Sequence, residues 1–252
     1  MKKIIIGLGL FLILGGIIFA QEIPSWGEVY YKYAYVQLEK IRIGMESLIS
    51  FGKEKLTDVS NLESLKDDFS TKLEELEKAC TEENKEKVKE IEEEIKGIIE
   101  NFKEETKKVF GGYLLRKEAK EALEKAYEDN LSYLEDLLKK ARELHKQRNL
   151  SLFDEAISAA EEVIQKLKGY GKDASLCEEK LSEIREKRDD FENAMENIIS
   201  NCASFYHLSC EGGTEEPSCD ENVQNYCDLK SEIEKDFSEL QDLIYQAAGI
   251  SS

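Results

Sequence analysis

Apolar residues recur every three or four positions through most of this chain, and that spacing constrains the fold more than any other feature. The most regular run covers 177–202 and repeats its seam positions in the order 4-3-4-3-4-3-4. Similar runs cover 88–109 and 127–145. Residues three and four apart share one face of an α-helix. Short connections let such stripes bury against antiparallel neighbours, so the spacing predicts an all-α, elongated antiparallel helical bundle of coiled-coil hairpins.

Composition agrees with long helices and argues against one class of partner. Only 2 of the 252 residues are proline and 35% are charged, whereas the alternating pattern of strands is almost absent. The formal net charge is −19. A phosphate backbone is held by clustered cationic side chains. We therefore do not expect nucleic acid to be a partner.

Capping patterns and glycines mark where the helices should begin and end. A Ser followed three residues later by Glu or Asp can cap a helix reciprocally. Five such boxes occur: Ser25–Glu28, Ser60–Glu63, Ser151–Asp154, Ser175–Glu178 and Ser218–Glu221. Glycines at 111–112 and at 169 and 171 mark stops. Together these marks predict helices over about 25–55, 61–80, 83–110, 113–147, 152–168, 176–207 and 219–246.

The chain also contains an internal similarity. The segment 58–63 has the pattern Asp-x-Ser-x-x-Glu, and the same pattern returns 115 residues later at 173–178. In both places a helix precedes the pattern, a second follows and a third returns. This order predicts two copies of a three-helix unit, about 36–110 and 152–246. The expected organisation is a first helical unit at 21–112, a bridging long helix at 113–150, and a second unit at 151–252 that carries a cysteine-bearing hairpin.

This order of elements resembles that of uncharacterised helical secreted proteins of archaea. The resemblance rests on the Asp-x-Ser-x-Leu-Glu start, a Glu/Lys-rich helix, and a return that ends like Phe102-Lys-Glu-Glu-Thr-Lys. It covers about residues 36–200, and the second copy departs from it by placing Cys177 where the first has Leu62. The resemblance implies an extracytoplasmic helical fold and no known activity, so it transfers no functional residue.

The first twenty residues have the layout of a secretory signal peptide. Lys2 and Lys3 precede an apolar run over 4–19, and Ala20 is followed by Gln21. We expect cleavage after Ala20, with residues 1–20 removed. The alternative is a retained N-terminal membrane anchor, since the run approaches the ~17-residue minimum of a spanning helix. Both interpretations predict an extracytoplasmic location, secreted or at the cell surface.

Six cysteines form the largest group of chemically distinctive residues: Cys80, Cys177, Cys202, Cys210, Cys219 and Cys227. An even number in an exported chain indicates disulfides. Zinc binding is the alternative, but no Cys-x2-Cys pair occurs. If the last two helices form a hairpin, its geometry predicts the nested pairs Cys202–Cys227 and Cys210–Cys219. Cys80 and Cys177 remain, either paired with each other or both free and buried.

Other residues give weaker signals. The two histidines, His145 and His207, have no catalytic or metal-binding motif around them, so structural roles are expected. The aromatic cluster at 26–35 can serve either packing or an exposed contact with a partner or glycan. Asn130-Leu-Ser132 and Asn149-Leu-Ser151 match the N-glycosylation sequon, although Ser151 is also a candidate cap.

The functional expectation follows from these residues. No motif indicates catalysis, a cofactor or a metal site. We expect an exported structural or protein-interaction element at the cell surface, whose partner is a protein or the cell envelope. The alternative is a soluble extracytoplasmic binding protein, chaperone-like or cation-binding, that uses the acidic helix faces.

Overall fold

A computed structural model describes residues 23–202 and 217–250 of the chain. The described residues form seven helices and no strand, and 89% of them are helical. The helices are α1 (Trp26–Glu54), α2 (Ser60–Thr81), α3 (Lys85–Val109), α4 (Tyr113–Asp129), α5 (Leu131–Gly169), α6 (Ser175–Asn201) and α7 (Pro217–Ala248). The all-α prediction is confirmed. The predicted signal peptide lies outside the described residues.

The chain divides into two compact units, each with its own core. The first unit is Pro24–Arg142, and the second contains the described residues from Glu143 onward together with Ile23. The boundary falls within α5, so that helix contributes residues to both units. No described helix is both long enough and apolar enough to cross a membrane.

In the first unit, α1 packs against α2 and α4, and α2 packs against α3. Leu62, Phe69 and Leu76 of α2 are fully buried in this core, and so is Ile91 of the predicted stripe 88–109. Phe110 follows α3 and packs its ring 5.4 Å from that of Phe51. Complete burial of a large apolar side chain stabilises a fold by about 1.5–3 kcal/mol, so this core outweighs the modest helix propensities of the individual segments.

In the second unit, aromatic rings join the C-terminal part of α5 to α6 and α7. Phe153 of α5 lies with its ring centroid 6.2 Å from that of Phe191 and 5.8 Å from that of Phe237. Phe191 also stacks on the fully buried Tyr226 at 5.6 Å. Offset and edge contacts of this kind are the favoured ring geometries. They place residues from all three helices in one core.

The turns before α2 and α6 have matching backbone hydrogen bonds, 115 residues apart. Thr57 N–H donates to Gly52 C=O at 3.0 Å, and Lys172 N–H donates to Leu167 C=O at 3.0 Å. One residue earlier in each turn the backbone is left-handed, with φ 56° at Leu56 and 72° at Gly171. This is the Schellman geometry that closes a helix C-terminus.

The side chains around these turns match as well. Asp58 accepts from the backbone N–H and hydroxyl of Ser60, and Asp173 does the same for Ser175. Lys53–Glu63 and Lys168–Glu178 are equivalent ion pairs at 2.6 and 2.8 Å. These correspondences keep one register, 115 residues apart, through the turn and into the following helix. They support an internal duplication.

Three of the predicted capping boxes are wrong in detail, and one is confirmed. Ser25 and Glu28 form a complete box at the start of α1. At α2 and α6 the N-cap residues are Val59 and Ala174, so each predicted Ser is the first helical residue instead. Asp58 and Asp173 accept hydrogen bonds from these serines, so the serine hydroxyls donate to the aspartates and do not cap the helices.

Ser151 is not a cap, because α5 passes through it without interruption. Leu150 and Phe153 on either side are buried, so packing overrides the local capping pattern. The predicted bridging helix therefore does not end near residue 147. The break lies at Asn130, between α4 and α5. Ser218 lies inside α7, which begins at Pro217, and its side chain lies outside the described residues.

Candidate functional site

A buried carboxylate in the first unit forms the most distinctive polar cluster. Glu39 of α1 is fully buried. Arg42, one turn later, donates from Nε to Glu39 Oε2 at 2.8 Å and from Nη2 to Oε1 at 2.5 Å. Tyr133 of α5 donates its hydroxyl to Oε1 at 3.2 Å. Arg42 also reaches Glu46 through Nη1 at 2.6 Å. The planar guanidinium thus bridges two carboxylates on one face of α1.

These contacts fix the charge of the cluster. The hydrogen bonds from Arg42 hold the pKa of Glu39 below its ordinary value, although burial opposes the shift. Burial and the nearby Glu39 charge raise the pKa of Tyr35 to about 12. At neutral pH the glutamate is therefore ionised and the tyrosine is protonated. The cluster is a fixed ion pair, satisfied mainly within the protein.

Two grooves adjoin this ion pair on the first unit. One has a volume of about 520 Å³ and includes Ser47, Asn130 and Tyr133 in its lining. The other, about 420 Å³, is lined in part by Tyr31 and Glu77. Glu39 and Arg42 line both grooves. Both grooves have carboxylates in their walls, so they offer polar contacts.

Glu39 and Arg42 were not among the residues predicted from the sequence. A signal was available: Glu39 lies three residues after Val36 and four before Ile43, both of which are buried. A carboxylate within an apolar stripe needs a buried partner. The next basic residue at helical spacing is Arg42, which supplies that partner.

The second unit has one end where large apolar side chains are exposed. Tyr170, in the turn after α5, is 82% exposed, and Leu176, at the start of α6, is 61% exposed. Ile250, after α7, is 56% exposed. A Cβ placed on Gly249 would lie 3.8 Å from Lys172 Nζ, so the end of α7 lies beside the turn. We name Tyr170, Leu176 and Ile250 the second tip.

The second tip concentrates the exposed apolar surface of its unit. Among the described residues of that unit, these three are the large hydrophobic side chains that are exposed. Two ion pairs lie near these side chains, Lys168–Glu178 at 2.8 Å and Lys166–Glu162 at 2.6 Å. Clustered exposed apolar side chains mark interaction surfaces more often than scattered ones do.

The first unit has a related end at the matching turn. Leu56 is 94% exposed, and its neighbour Lys55 forms an ion pair with Glu118 of α4 at 2.6 Å. Leu114, one turn before Glu118, is also exposed. We name Leu56 and Leu114 the first tip. Both units thus expose apolar side chains beside the matching turns.

The cysteine pairing differs from the prediction. Cys202 is bonded to Cys219 with a Cα–Cα distance of 5.3 Å, so the expected pairs Cys202–Cys227 and Cys210–Cys219 are wrong. The reason is the end of α6, which is at Asn201 rather than near residue 207. Cys202 therefore lies at the helix end and reaches the first turn of α7. Cys227 is also disulfide-bonded, and Cys210 lies outside the described residues.

Cys80 and Cys177 are free and buried, so the expected disulfide between them is wrong. They belong to separate cores, Cys80 to that of the first unit and Cys177 to that of the second. Burial raises the pKa of Cys80 to about 11 and raises that of Cys177 as well. Both thiols are therefore protonated and shielded, as the alternative of two buried free thiols predicted.

The aromatic cluster at the start of α1 serves packing. Tyr31 and Tyr33 are buried, while Trp26 stacks on Tyr30 with ring centroids 4.9 Å apart. Lys85 lies over the Trp26 ring, with Nζ 5.1 Å from its centroid. The Tyr30 hydroxyl donates to Glu92 of α3. Trp26 remains partly exposed at the edge of this cluster.

One of the two histidines lies within the described residues. His145 is half-buried on α5, and His207 lies outside the described residues. Within 23–202 and 217–250, no group of three or more His, Cys, Asp or Glu side chains is arranged to hold a metal ion.

Comparison with known proteins gave no relative. No protein-family model, curated protein or solved structure matches this chain. The resemblance to archaeal secreted helical proteins therefore stays a prediction.

Proposed function

We propose that this chain is an exported helical protein without catalytic activity that acts at the cell surface as a structural or protein-interaction element. The observation that carries the proposal is the second tip. A chain with a formal charge of −19 keeps most of its surface charged, yet it exposes three large apolar side chains together at one end of a unit. Burying such side chains against a partner gives about 1.5–3 kcal/mol each.

The internal duplication adds to this proposal. The turn beside Tyr170 and the turn at Leu56 have the same hydrogen bonds, and both expose an apolar side chain. Leu56 has a left-handed backbone and an almost fully exposed side chain, so it adds little to the stability of the folded chain by itself. Contact with a partner would bury the exposed apolar side chains of both copies.

The disulfide supports the proposed location. Disulfides persist in oxidising compartments outside the cytoplasm. The Cys202–Cys219 bond joins the end of α6 to the start of α7. The free Cys80 and Cys177 are compatible with the same compartment because burial shields them from oxidation.

Cell fractionation of a tip variant tests the function. We expect the wild-type chain to co-fractionate with the cell envelope and the triple variant Tyr170→Ser, Leu176→Ser, Ile250→Ser to be released. Leu131→Ser is the control, since Leu131 is also exposed but belongs to neither tip. Circular dichroism checks that each variant is folded.

Two outcomes would count against the proposal. Equal retention of the wild-type and triple-variant chains would show that the second tip is not the contact. Release of the wild-type chain by salt or dilution would favour the alternative, an extracytoplasmic binding protein that uses its acidic helix faces.

A further inference from the structure

Two N-glycosylation sequons occur in this chain, and the structure places them in different surroundings. Both have the sequence Asn-Leu-Ser, at 130–132 and 149–151. An acceptor asparagine must reach a transferase and then carry a bulky, solvated glycan, so it belongs on an accessible surface segment. The contacts of each asparagine and its local backbone structure therefore distinguish the two sites.

Asn149 lies within the uninterrupted helix α5 and is tied to the core of the second unit. Its Nδ2 donates to the Tyr226 hydroxyl at 3.4 Å and lies 3.7 Å from Met195 Sδ. Tyr226 and Met195 are both fully buried, and the next residue, Leu150, is buried too. A glycan on Asn149 Nδ2 would separate these groups.

Asn130 lies at the interruption between α4 and α5. It is the C-cap of α4, with φ −108° and ψ 8°, and its Nδ2 donates to the Ala126 carbonyl at 2.8 Å. The other sequon residues are accessible, because Leu131 and Ser132 are exposed. Tyr133 is also exposed and, with Asn130, lines the groove of about 520 Å³.

We propose that Asn130 is an N-glycosylation site and that Asn149 is not. The proposal rests on the proposed export of the chain. The co-reactant is a lipid-linked oligosaccharide. A bond forms between Asn130 Nδ2 and the sugar anomeric carbon while the bond from that carbon to the lipid diphosphate breaks. The diphosphate leaves with the lipid, and Nδ2 loses one proton.

The modified side chain fits the observed geometry. Glycosylated Nδ2 keeps one hydrogen, so the hydrogen bond to the Ala126 carbonyl can persist. The sugar nearest to the protein then lies at the mouth of the groove beside Tyr133. Aromatic faces offer sugars an apolar contact surface, and Tyr133 also keeps its hydroxyl on Glu39.

Secretion of the full chain from a yeast host tests the proposal. Peptide N-glycosidase converts a glycosylated asparagine into aspartate. Trypsin separates the two sequons into peptides 126–139 and 149–166. We expect aspartate at position 130 and unchanged asparagine at position 149. Ser132→Ala should abolish the modification while leaving the Asn130 side chain in place, and Ser132→Thr should retain it.

The outcomes separate this proposal from the proposed function. Unmodified Asn130 in a secreted, disulfide-bonded product would overturn the glycosylation site alone. Modification of Asn149 in a folded product would overturn it as well. A chain that stays inside the cell, reduced and unmodified, would contradict both the export and the site.

Discussion

Gly27 shows how one missing side chain positions two helices. A Cβ at this position would overlap the carbonyl oxygen of Cys80, so α1 and the end of α2 meet backbone to backbone. We expect Gly27→Ala to lower the free energy of unfolding by about 1–3 kcal/mol, because the carbonyl cannot rotate away as a side chain can. Urea denaturation followed by circular dichroism measures the change.

Gly97 provides the matched control. It lies inside α3, and a Cβ there would meet no atom within 4 Å. Gly97→Ala should raise the free energy of unfolding by up to about 1 kcal/mol through helix propensity. Equal effects of the two alanines would contradict the close approach at Gly27.

Glu39 is a buried carboxylate at a position where the helical pattern predicts an apolar side chain. The spacing of Val36 and Ile43 predicts a buried stripe, and the carboxylate between them is the exception. Its partner on the same helix, Arg42, can be found from sequence. Its partner Tyr133 cannot, because that contact depends on where α4 ends and α5 begins.

At the scale of an element, substitutions in the two matching turns should change the free energy of unfolding in opposite directions. Leu56 and Gly171 occupy the same left-handed position, which costs a non-glycine residue about 1 kcal/mol. Leu56→Gly should therefore raise the free energy of unfolding by up to about 1 kcal/mol, and Gly171→Leu should lower it by a similar amount. Urea midpoints of the two variants measure these shifts. Changes of the same sign would contradict the equivalence of the turns.

The contact between α6 and α7 includes a buried charge network. Asp236 of α7 accepts from Lys180 Nζ at 2.7 Å and from Lys187 Nζ at 2.6 Å. Burial disfavours the charged carboxylate, but the two lysines outweigh burial and hold the pKa of Asp236 below its ordinary value of 3.8. This contribution to stability is present above that value and is lost as the pH falls through the lower pKa of the folded state.

Replacement of Asp236 tests the network. Asp236→Asn should cost about 2 kcal/mol at neutral pH, because it removes charged hydrogen bonds to two lysines. The loss should shrink as the pH falls below 3.8 and through the lower pKa of the folded state, where the wild-type carboxylate becomes neutral. Thermal unfolding at several pH values measures this. Asp242→Asn, on the exposed face of the same helix, is the control, and an equal effect at every pH would contradict the assignment.

The sequence predicted the helices better than their junctions. Periodicity found the all-α fold, and the glycines at 111–112 and 169–171 correctly marked stops. The predicted break near Ser151 was wrong because the apolar stripe of α5 continues through it. The actual break at Asn130 has no glycine or proline beside it. Local signals compete with burial at such points, and burial depends on the whole unit.

The predicted disulfide pairs were wrong for a related reason. The predicted disulfide pairing assumed that α6 ends near residue 207. The helix ends at Asn201 instead. A shift of about six residues moves Cys202 by more than one helical turn. The tips at Leu56 and Tyr170 were also not predicted, because exposure follows from how the helices pack and not from residue type.

At the scale of the whole molecule, the chain has an acidic composition, two helical units with matching turns, and apolar tips in both units. The charge of −19 opposes nonspecific association between copies at low salt. Contacts are then favoured where apolar side chains are exposed. Each tip meets that description, which connects the fold to the proposed interaction.

The most direct test of the central claim is a thiol and mass map of the full chain expressed with its own N-terminal segment. We predict a secreted product that begins at Gln21. Among the five described cysteines, only Cys80 and Cys177 should become alkylated, and only after unfolding, because both free thiols are buried. Non-reducing digestion should recover the Cys202–Cys219 link. A cytoplasmic product that retains Met1 and has six alkylated cysteines would contradict the account.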